Sequence, residues 1–288
     1  MVTNNEMGSK ELRAENVQRA VNGFALQKYM FKDINLVQKS NSWKETYFEE
    51  DATELTASGT RNIKGVSRGA NFPHLEPNWT EKSVRHQKYA GEGVIYWEDV
   101  LTNSIDVMQR TLLRISRAIA KAVDDEIYAQ WIAATGINTA AATNQWDHTT
   151  ESLQKPIYDI TRAIESILEY NYTEIRSNGY LLVSPHDYAS LINNSKVINN
   201  PSFKTADVVT NGKVGQICGL TVIESNSVPA DEALVIAGKI ASTWKTASPL
   251  KTVTIEDPQI KYTIRASEIG ITQVINPKAI ARITNTQE

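Results

Sequence analysis

The chain has 288 residues and a formal net charge of −3 at pH 7, and 41% of its residues are hydrophobic while 22% are charged. This balance is typical of globular proteins, and so small a net charge points to no particular partner. No apolar run approaches the roughly 20 residues of a membrane helix, and the first residues lack the apolar core of a signal peptide. Cys218 is the only cysteine, which excludes an internal disulfide framework. We therefore expect no membrane partner.

Residues 10–30 carry apolar side chains at helical spacing, although Gly23 weakens the centre of the segment. The pattern predicts a short amphipathic helix in an N-terminal arm. Two arrangements remain open: the helix packs on its own domain, or the arm reaches a neighbouring molecule.

Residues 43–95 alternate aromatic and β-branched residues in short runs, and glycines and prolines interrupt the middle of the segment. This pattern predicts two strands joined by a long excursion. With about 20 residues in each arm, such a hairpin would reach about 65 Å, which is more than the domain it leaves. It also carries six aromatic residues: Trp43, Tyr47, Phe48, Phe72, Trp79 and Tyr89. We expect this hairpin to contact another molecule.

Charge is sorted along the same segment. The outgoing arm is acidic, with Glu45, Glu49, Glu50, Asp51 and Glu54, whereas the tip and return arm carry Arg61, Lys64, Arg68, Lys82, Arg85 and Lys88. A solvated surface is the simpler interpretation, but two opposite runs on one projecting element also suit docking between subunits. The candidate inter-subunit residues are Glu49, Glu50, Asp51, Arg61, Lys64, Arg68, Phe72 and Trp79.

Residues 104–134 contain no Gly or Pro and predict one helix about 45 Å long. Asn103 or Ser104 can cap its start, and Gly136 is placed to end it. One narrow face is apolar and should be buried: Met108, Leu112, Ile115, Ile119 and Ala122. The opposite face is a basic stripe of Arg110, Arg114, Arg117 and Lys121. Such a helix serves as a spine against which other elements pack.

The remaining chain predicts helices and strands in alternation. Residues 139–150 form a polar connection, 157–168 a helix, 179–183 a strand, and Ser184-Pro185 the start of another helix. An irregular loop is expected at 193–215. Further strands are expected at 219–225, 233–237, 251–256, 260–265 and 271–275. The fold class is therefore α+β, with the strands concentrated late in the chain.

Motifs of catalysis or cofactor binding are missing from the sequence. It contains neither of the glycine-rich phosphate-binding patterns, and its four histidines lack metal-ligand spacing. Ser184, His186 and Asp187 supply the residue types of a hydrolase triad, but they are crowded at one strand-to-helix junction where their side chains should diverge. We interpret Cys218 as a small buried hydrophobe. We predict no enzymatic activity, no cofactor and no metal.

Three stretches carry a resemblance to a known family. They are Leu181-Leu182-Val183-Ser184-Pro185-His186-Asp187-Tyr188 with Leu191; Gly219-Leu220-Thr221-Val222-Ile223-Glu224-Ser225 with Val228-Pro229; and Ile269-Gly270 followed by Val274, Asn276-Pro277 and Ala279-Ile280. In their order and spacing they resemble the major capsid proteins of tailed bacteriophages and related archaeal viruses, which have the Hong Kong 97-type capsid fold. The resemblance covers nearly the whole chain.

This resemblance implies a division of the α+β fold into an N-terminal arm (1–42), an extended β-hairpin loop (43–96), a peripheral domain with the spine helix (97–136), an axial domain (137–256) and closing strands of the peripheral domain (257–288). It also implies a structural protein of the virion that assembles with copies of itself, as pentamers and hexamers, into an icosahedral shell around double-stranded DNA. Assembly would occur in the host cytoplasm, with separate scaffolding, portal and decoration proteins as further partners. The basic stripe would face the genome.

The sequence departs from the family in two respects. Some relatives begin with a cleaved scaffolding segment, whereas only residues 1–42 precede the extended loop here, so any scaffold is expected to be a separate protein. Some also crosslink a loop lysine to a neighbour's asparagine, and Lys64, Lys82, Asn276 and Asn285 supply the residue types without a pattern that selects a pair. Two other functions remain open: an encapsulin-type shell around cargo enzymes, and an enzyme whose chemistry the motifs do not reveal.

Overall fold

The structure, a computed structural model, describes residues 21, 29–50, 67–71, 79–102, 107–198 and 215–288. Val21 is helical and fully buried. The rest of the predicted N-terminal helix before residue 29, most of the hairpin between its strands, the predicted caps Asn103 and Ser104, and residues 199–214 lie outside the described residues.

The predicted spine helix is present as α2, Val107–Ala133, with α1, Trp97–Thr102, just before it. Its 27 residues span about 40 Å. Leu112, Ile115 and Ile119 are buried as predicted. Ala122 is exposed, because at 3.6 residues per turn the buried face drifts around the helix and Val123 takes the inward position.

A four-stranded sheet packs on α2. Its strands are β1 (Leu36–Lys39), β4 (Gln87–Tyr96), β10 (Ser242–Asp257) and β11 (Lys261–Val274), in the order β1-β10-β11-β4. β1 runs parallel to β10, and the other pairs are antiparallel. Gly93 on β4 lets the helix approach closely, since a Cβ there would lie 2.5 Å from Thr111 Cγ2. Ile264 and Ala266 of β11 are buried in the same layer.

A six-stranded sheet forms the second core. Its strands are β5 (Asn138–Ala141), β6 (Gly179–Val183), β7 (Gln216–Ile217), β8 (Leu220–Glu224), β9 (Glu232–Ala237) and β12 (Ile280–Thr284), in the order β5-β12-β9-β6-β8-β7. The helices of this region are α3 (Pro156–Leu168), α4 (Ile175–Asn178), α5 (Pro185–Asn193) and α6 (Ser195–Ile198), with short 3₁₀ turns at Glu151–Leu153 and Pro277–Ala279. Ser184 caps α5 by accepting a hydrogen bond from the Asp187 N–H, which confirms the predicted start of that helix.

The predicted hairpin is present at its base. β2 (Lys44–Glu50) and β3 (Trp79–Arg85) form a two-stranded antiparallel sheet in which Glu50 pairs with Trp79. β3 leads through His86 directly into β4. The hairpin is therefore continuous with an edge strand of the four-stranded sheet.

Strand pairing differs from the predicted boundaries in three places. β4, which we assigned to the extended loop, belongs to the four-stranded sheet, and so does β10, which we assigned to the axial segment. β12, expected among the peripheral closing strands, lies in the six-stranded sheet between β5 and β9. These memberships depend on pairing between distant residues, which local patterns do not encode. The division of the chain into domains stays a prediction.

Candidate assembly surfaces

The acidic residues at the end of β2 are engaged within their own chain. Glu49 is buried at 6% exposure and forms an ion pair with Lys82 of β3. Glu50 accepts a hydrogen bond from the Tyr172 hydroxyl at 3.2 Å, and its backbone N–H donates to the Ile275 carbonyl at 2.9 Å. Two of the acidic residues predicted to contact a neighbour are therefore already engaged: Glu50 fixes the end of β2 to the body of the subunit, and Glu49 joins the two strands of the hairpin.

A second polar cluster lies where β3 passes into β4. His86 is 3% exposed, and its Nε2 lies 3.4 Å from Glu45 Oε1 on β2. Gln273 of β11 donates from Nε2 to Glu45 Oε2 at 2.9 Å. Burial acts to raise the pKa of Glu45, but a hydrogen bond from Ser40, the close approach of His86 and the charge of Lys245 bring this pKa below its ordinary value. This carboxylate joins the hairpin to the four-stranded sheet.

The outward face of the hairpin exposes an aromatic pair. The rings of Phe48 and Trp79 lie 5.8 Å apart between centroids, at an angle of 61°. Each side chain is about half exposed, and Trp43 nearby is 60% exposed. Arg68 is also exposed, whereas the other predicted contact residues, Asp51, Arg61, Lys64 and Phe72, lie outside the described residues. The described part of the hairpin thus presents apolar surface away from its own chain.

Three of the four residues in the predicted basic stripe carry unpaired charge. Arg110, Arg114 and Arg117 are exposed along the first half of α2, and among the described residues none of them has a carboxylate partner. They line a groove of about 500 Å³ together with Val107, Thr111 and Leu113. Lys121 differs, because its Nζ lies 2.7 Å from Asp125 one turn further along. The stripe is therefore three arginines followed by a neutralised lysine.

A third surface, here called the sheet tip, is apolar and was not predicted. It lies at the end of the four-stranded sheet where β4 passes into α1. Its exposed hydrophobic residues are Val94, Tyr96, Trp97, Leu101, Val253, Ile255 and Ile260. Soluble monomers rarely expose so many large apolar side chains together, which indicates a surface that becomes covered. The sequence signal for this surface was weak. Alternating apolar residues in β4 and β10 indicate strands, but the pattern does not show whether the outer face of the sheet is covered by another molecule.

The segment before β1 is anchored by buried acids, which the sequence reasoning also missed. Lys32 forms an ion pair with Glu268 of β11, and the Tyr29 hydroxyl donates to the same carboxylate. The backbone N–H groups of Met30 and Phe31 donate to Asp124 of α2 at 3.0 and 3.2 Å. Burial raises the pKa of Asp124 to about 6, although these two hydrogen bonds oppose the shift. A lone Glu inside the apolar run of β11 was the available signal.

The residue types of a hydrolase triad are used for structure. Ser184 Oγ donates to Asp187 Oδ2 at 2.9 Å and accepts from the Asp187 N–H at 3.2 Å, so both groups cap α5. His186 is exposed, and its Nε2 lies 3.9 Å from Asp147 and forms no relay with Ser184.

Cys218 lies in the β7–β8 turn with φ 53°, and burial raises the pKa of its thiol. Within the described residues, no group of His, Cys, Asp and Glu could hold a metal ion.

None of the helices in the described part of the chain is both long and apolar enough to cross a membrane.

Comparison with known proteins gives a family match and several similar structures. The family described as phage capsid protein matches residues 79–283. Among solved structures, the chain is similar to the capsid of the cyanophage P-SCSP1u, with a TM-score of 0.67 and 16% identity over 90% of this chain and 89% of that one. It is similar to a structure from Mycobacterium phage Che8, with a TM-score of 0.63 and 14% identity over 90% and 92% of the two chains. It also matches a virus-like particle from Pyrococcus furiosus, with a TM-score of 0.64 and 10% identity over 93% and 98%. A sequence comparison with curated proteins gives no match.

The fold is the Hong Kong 97-type capsid fold, which confirms the fold class and the resemblance predicted from the sequence. The family match covers well over half of the chain. This chain belongs to the phage capsid protein family and is a capsid shell protein of the virion.

Proposed function

We propose that this capsid protein assembles with copies of itself, as pentamers and hexamers, into a closed icosahedral shell around a double-stranded DNA genome. Its role is structural, and no reaction is required of it. Assembly takes place in the host cytoplasm, with scaffolding, portal and decoration proteins supplied as separate chains and with no membrane involved. The observation that carries the proposal is the hairpin, which is fixed to its own subunit on one face and offers aromatic surface on the other.

The contact between subunits is expected on the outward face of the hairpin. Glu49 and Glu50 are engaged within the subunit, so the energy of a contact to a neighbour must come from other residues. Phe48 and Trp79 meet the requirement, since burying two half-exposed aromatic side chains contributes about 1–3 kcal/mol each. The exposed sheet tip supplies further apolar area for a second contact.

The double variant Phe48→Ser, Trp79→Ser tests this contact. The variant should remain a folded, soluble subunit but should give few or no closed shells by electron microscopy. Deleting residues 61–77 should have the same effect if the far part of the hairpin also crosses a neighbour. Tyr158→Ser is the matched control, because this aromatic residue on α3 is similarly exposed at 57% but lies away from the hairpin. A normal yield of particles from the double variant would contradict the proposal.

Arg110, Arg114 and Arg117 are proposed to face the packaged genome. Their guanidinium groups are unpaired among the described residues, and their spacing along one helix face suits contacts to successive phosphates. Such contacts read no base sequence, and they weaken steeply as salt rises. Lys121, the fourth residue of the predicted basic stripe, already has Asp125 as a partner and should contribute less to DNA binding.

The triple variant Arg110→Gln, Arg114→Gln, Arg117→Gln tests the genome contact, with Lys121→Gln as control. Shell yield and nuclease-protected DNA are measured for each variant. Normal shells that hold less DNA would support the proposal, while Lys121→Gln should package normally. Loss of shells would assign the arginines to contacts between subunits, and unchanged packaging would reduce them to a solvated surface.

A shell that encloses cargo enzymes is the second candidate function. The structural similarity to a virus-like particle from Pyrococcus furiosus supports this second candidate. Purified particles distinguish the two functions directly: protected genome-length DNA supports the viral shell, whereas particles that contain protein and no DNA support the compartment.

A further inference from the structure

His86 occupies the point where the hairpin leaves the body of the subunit. It is the single residue between β3 and β4, and its backbone N–H donates to the Trp43 carbonyl just before β2 at 3.1 Å. Its side chain is completely enclosed, with a relative exposure of 0%. Neither ring nitrogen has a hydrogen-bond partner among the described residues.

Leaving both nitrogens of a buried imidazole unpaired is unfavourable, because each has lost its hydrogen bonds to water without replacement. The neutral ring has one donor and one acceptor, whereas the protonated ring has two donors and a positive charge. The geometry suits the protonated ring, since Nε2 faces the Glu45 carboxylate at 3.4 Å. A small movement would turn this approach into a charge-assisted hydrogen bond.

The other groups around this carboxylate come from the four-stranded sheet. Lys245 of β10 acts on Glu45 through its charge, although its Nζ is bonded to Gln38 Oε1 at 2.5 Å. Gln273 of β11 is neutral and donates to the second Glu45 oxygen at 2.9 Å. Ser40 also hydrogen-bonds Glu45. Glu45 therefore joins β2 to the sheet whenever it is ionised, and His86 is the only group facing it in the described part of the chain whose protonation adds a positive charge to the pair.

We propose that His86 and Glu45 form a pH-sensitive latch at the base of the hairpin. In its protonated form, the imidazolium pairs with the Glu45 carboxylate and holds both hairpin strands on the four-stranded sheet. In its neutral form, the ring has no charge to pair with Glu45, so the base of the hairpin opens more readily. The subunit can thereby present its hairpin in a firmly docked form or a looser form according to the acidity of its surroundings.

Hydrogen exchange on the unassembled full-length subunit tests the latch. After correction for the intrinsic pH dependence of exchange, amides of β2 and β3 should be about tenfold better protected at pH 5.5 than at pH 8, relative to amides of the core strand β9. This pH dependence should disappear in His86→Phe, which fills the same buried space without titrating. His186→Gln, which removes an exposed histidine that also faces a carboxylate, should behave like the unmodified chain.

Glu45→Gln provides an independent test if His86→Phe does not fold. It removes the charge that the imidazolium would meet while keeping a side chain that Gln273 can contact, so the pH dependence should be lost. Equal protection of the hairpin at both pH values would overturn the latch, as would a pH dependence that survives Glu45→Gln. Because the measurement is made on single subunits, its failure would leave the proposed shell function untouched, and failure of shell assembly would leave the latch untouched.

Discussion

Buried carboxylates hold the projecting segments of this subunit in place. Asp124 on α2 and Glu268 on β11 hold the segment that precedes β1, and Glu49 joins the two strands of the hairpin. Each is less than 10% exposed, and each is satisfied by backbone N–H groups, by a hydroxyl group or by a lysine. Removing one partner of such a contact leaves the other buried without a hydrogen bond or counter-charge. This loss of stability is larger than the net contribution of the contact itself.

Asp124 should make the stability of the subunit depend on pH. Its pKa is raised to about 6, so the folded chain keeps a proton up to a higher pH than the unfolded chain does. The contribution to the free energy of unfolding is therefore greatest in acid and falls as pH rises, by about 1 kcal/mol between pH 5 and 7. Urea unfolding at the two pH values measures it.

The isosteric variant Asp124→Asn isolates this contribution from other titrating groups. It retains an oxygen that accepts from Met30 or Phe31 but carries no charge at either pH. The difference in unfolding free energy between pH 5 and 7 should be smaller in the variant by about 1 kcal/mol. The same pH dependence in both proteins would show that Asp124 is ionised normally in the fold.

Leu112 should contribute strongly to subunit stability. It is 3% exposed on α2, where it lies among the buried residues of the core, as the helical periodicity predicted. Leu112→Ala should lower the free energy of unfolding by about 2–5 kcal/mol, because it leaves a cavity. Leu101→Ala, at a leucine that is 62% exposed, is the control and should cost well under about 1 kcal/mol in the unassembled subunit. Chemical unfolding of both variants measures these changes. Similar losses of unfolding free energy in the two variants would contradict the orientation of α2.

Among the secondary-structure elements, those with strong local signals were predicted well. The spine helix, α3 and the capped helix α5 follow from periodicity and from Ser184-Pro185, and strands β6, β8 and β9 follow from short apolar runs between turn residues. β10 was predicted only over residues 251–256, and β11 was predicted as two short strands at 260–265 and 271–275. In β10 the reason is physical: Ser248 and Pro249 resemble a strand end but lie at register shifts within one continuous strand.

Features that depend on distant residues were not predictable from local patterns. β1 has four exposed residues and no apolar alternation, and it becomes a strand only because β10 offers it an edge. The contacts of Glu49 with Lys82 and of Lys32 with Glu268 likewise join residues that are far apart in the sequence. Of the candidate site, the exposed arginines and the hairpin aromatics were identified from spacing. The neutralisation of Lys121 by Asp125 follows the i,i+4 spacing of helical ion pairs and was overlooked, whereas the inward direction of Glu49 depends on tertiary packing.

The close packing of β4 on α2 gives a test at the level of elements. A Cβ at Gly93 would lie 2.5 Å from Thr111 Cγ2 and 2.7 Å from Ile115 Cδ1, and the β-branched threonine has little freedom to move. Gly93→Ala should therefore destabilise the subunit by about 1–3 kcal/mol. At Gly91 the nearest atom would be 3.5 Å away, so Gly91→Ala should be nearly neutral. Thermal unfolding of the two variants checks the predicted order, and equal melting temperatures would contradict the packing of this helix on this strand.

At the level of the whole molecule, the sorted charge of the hairpin should influence assembly through its salt dependence. Arg68 is exposed, and Arg61 and Lys64 lie beside it in sequence on the basic part of the segment. Reversing the three to Glu should slow assembly most at about 0.05 M salt and much less at about 0.5 M, where screening is strong. Light scattering during assembly measures the rate. An effect of the same size at both salt concentrations would show that charge pairing is not its cause.

The position of β12 determines when this subunit can become competent to assemble. β12 lies between β5 and β9, so residues 280–284 fill the gap beside an edge strand that begins at residue 138. During synthesis, β5 cannot join this sheet until residues 280–284 have emerged from the ribosome. We therefore expect a nascent chain that still lacks β12 to have an incomplete sheet and to be unable to assemble with its neighbours.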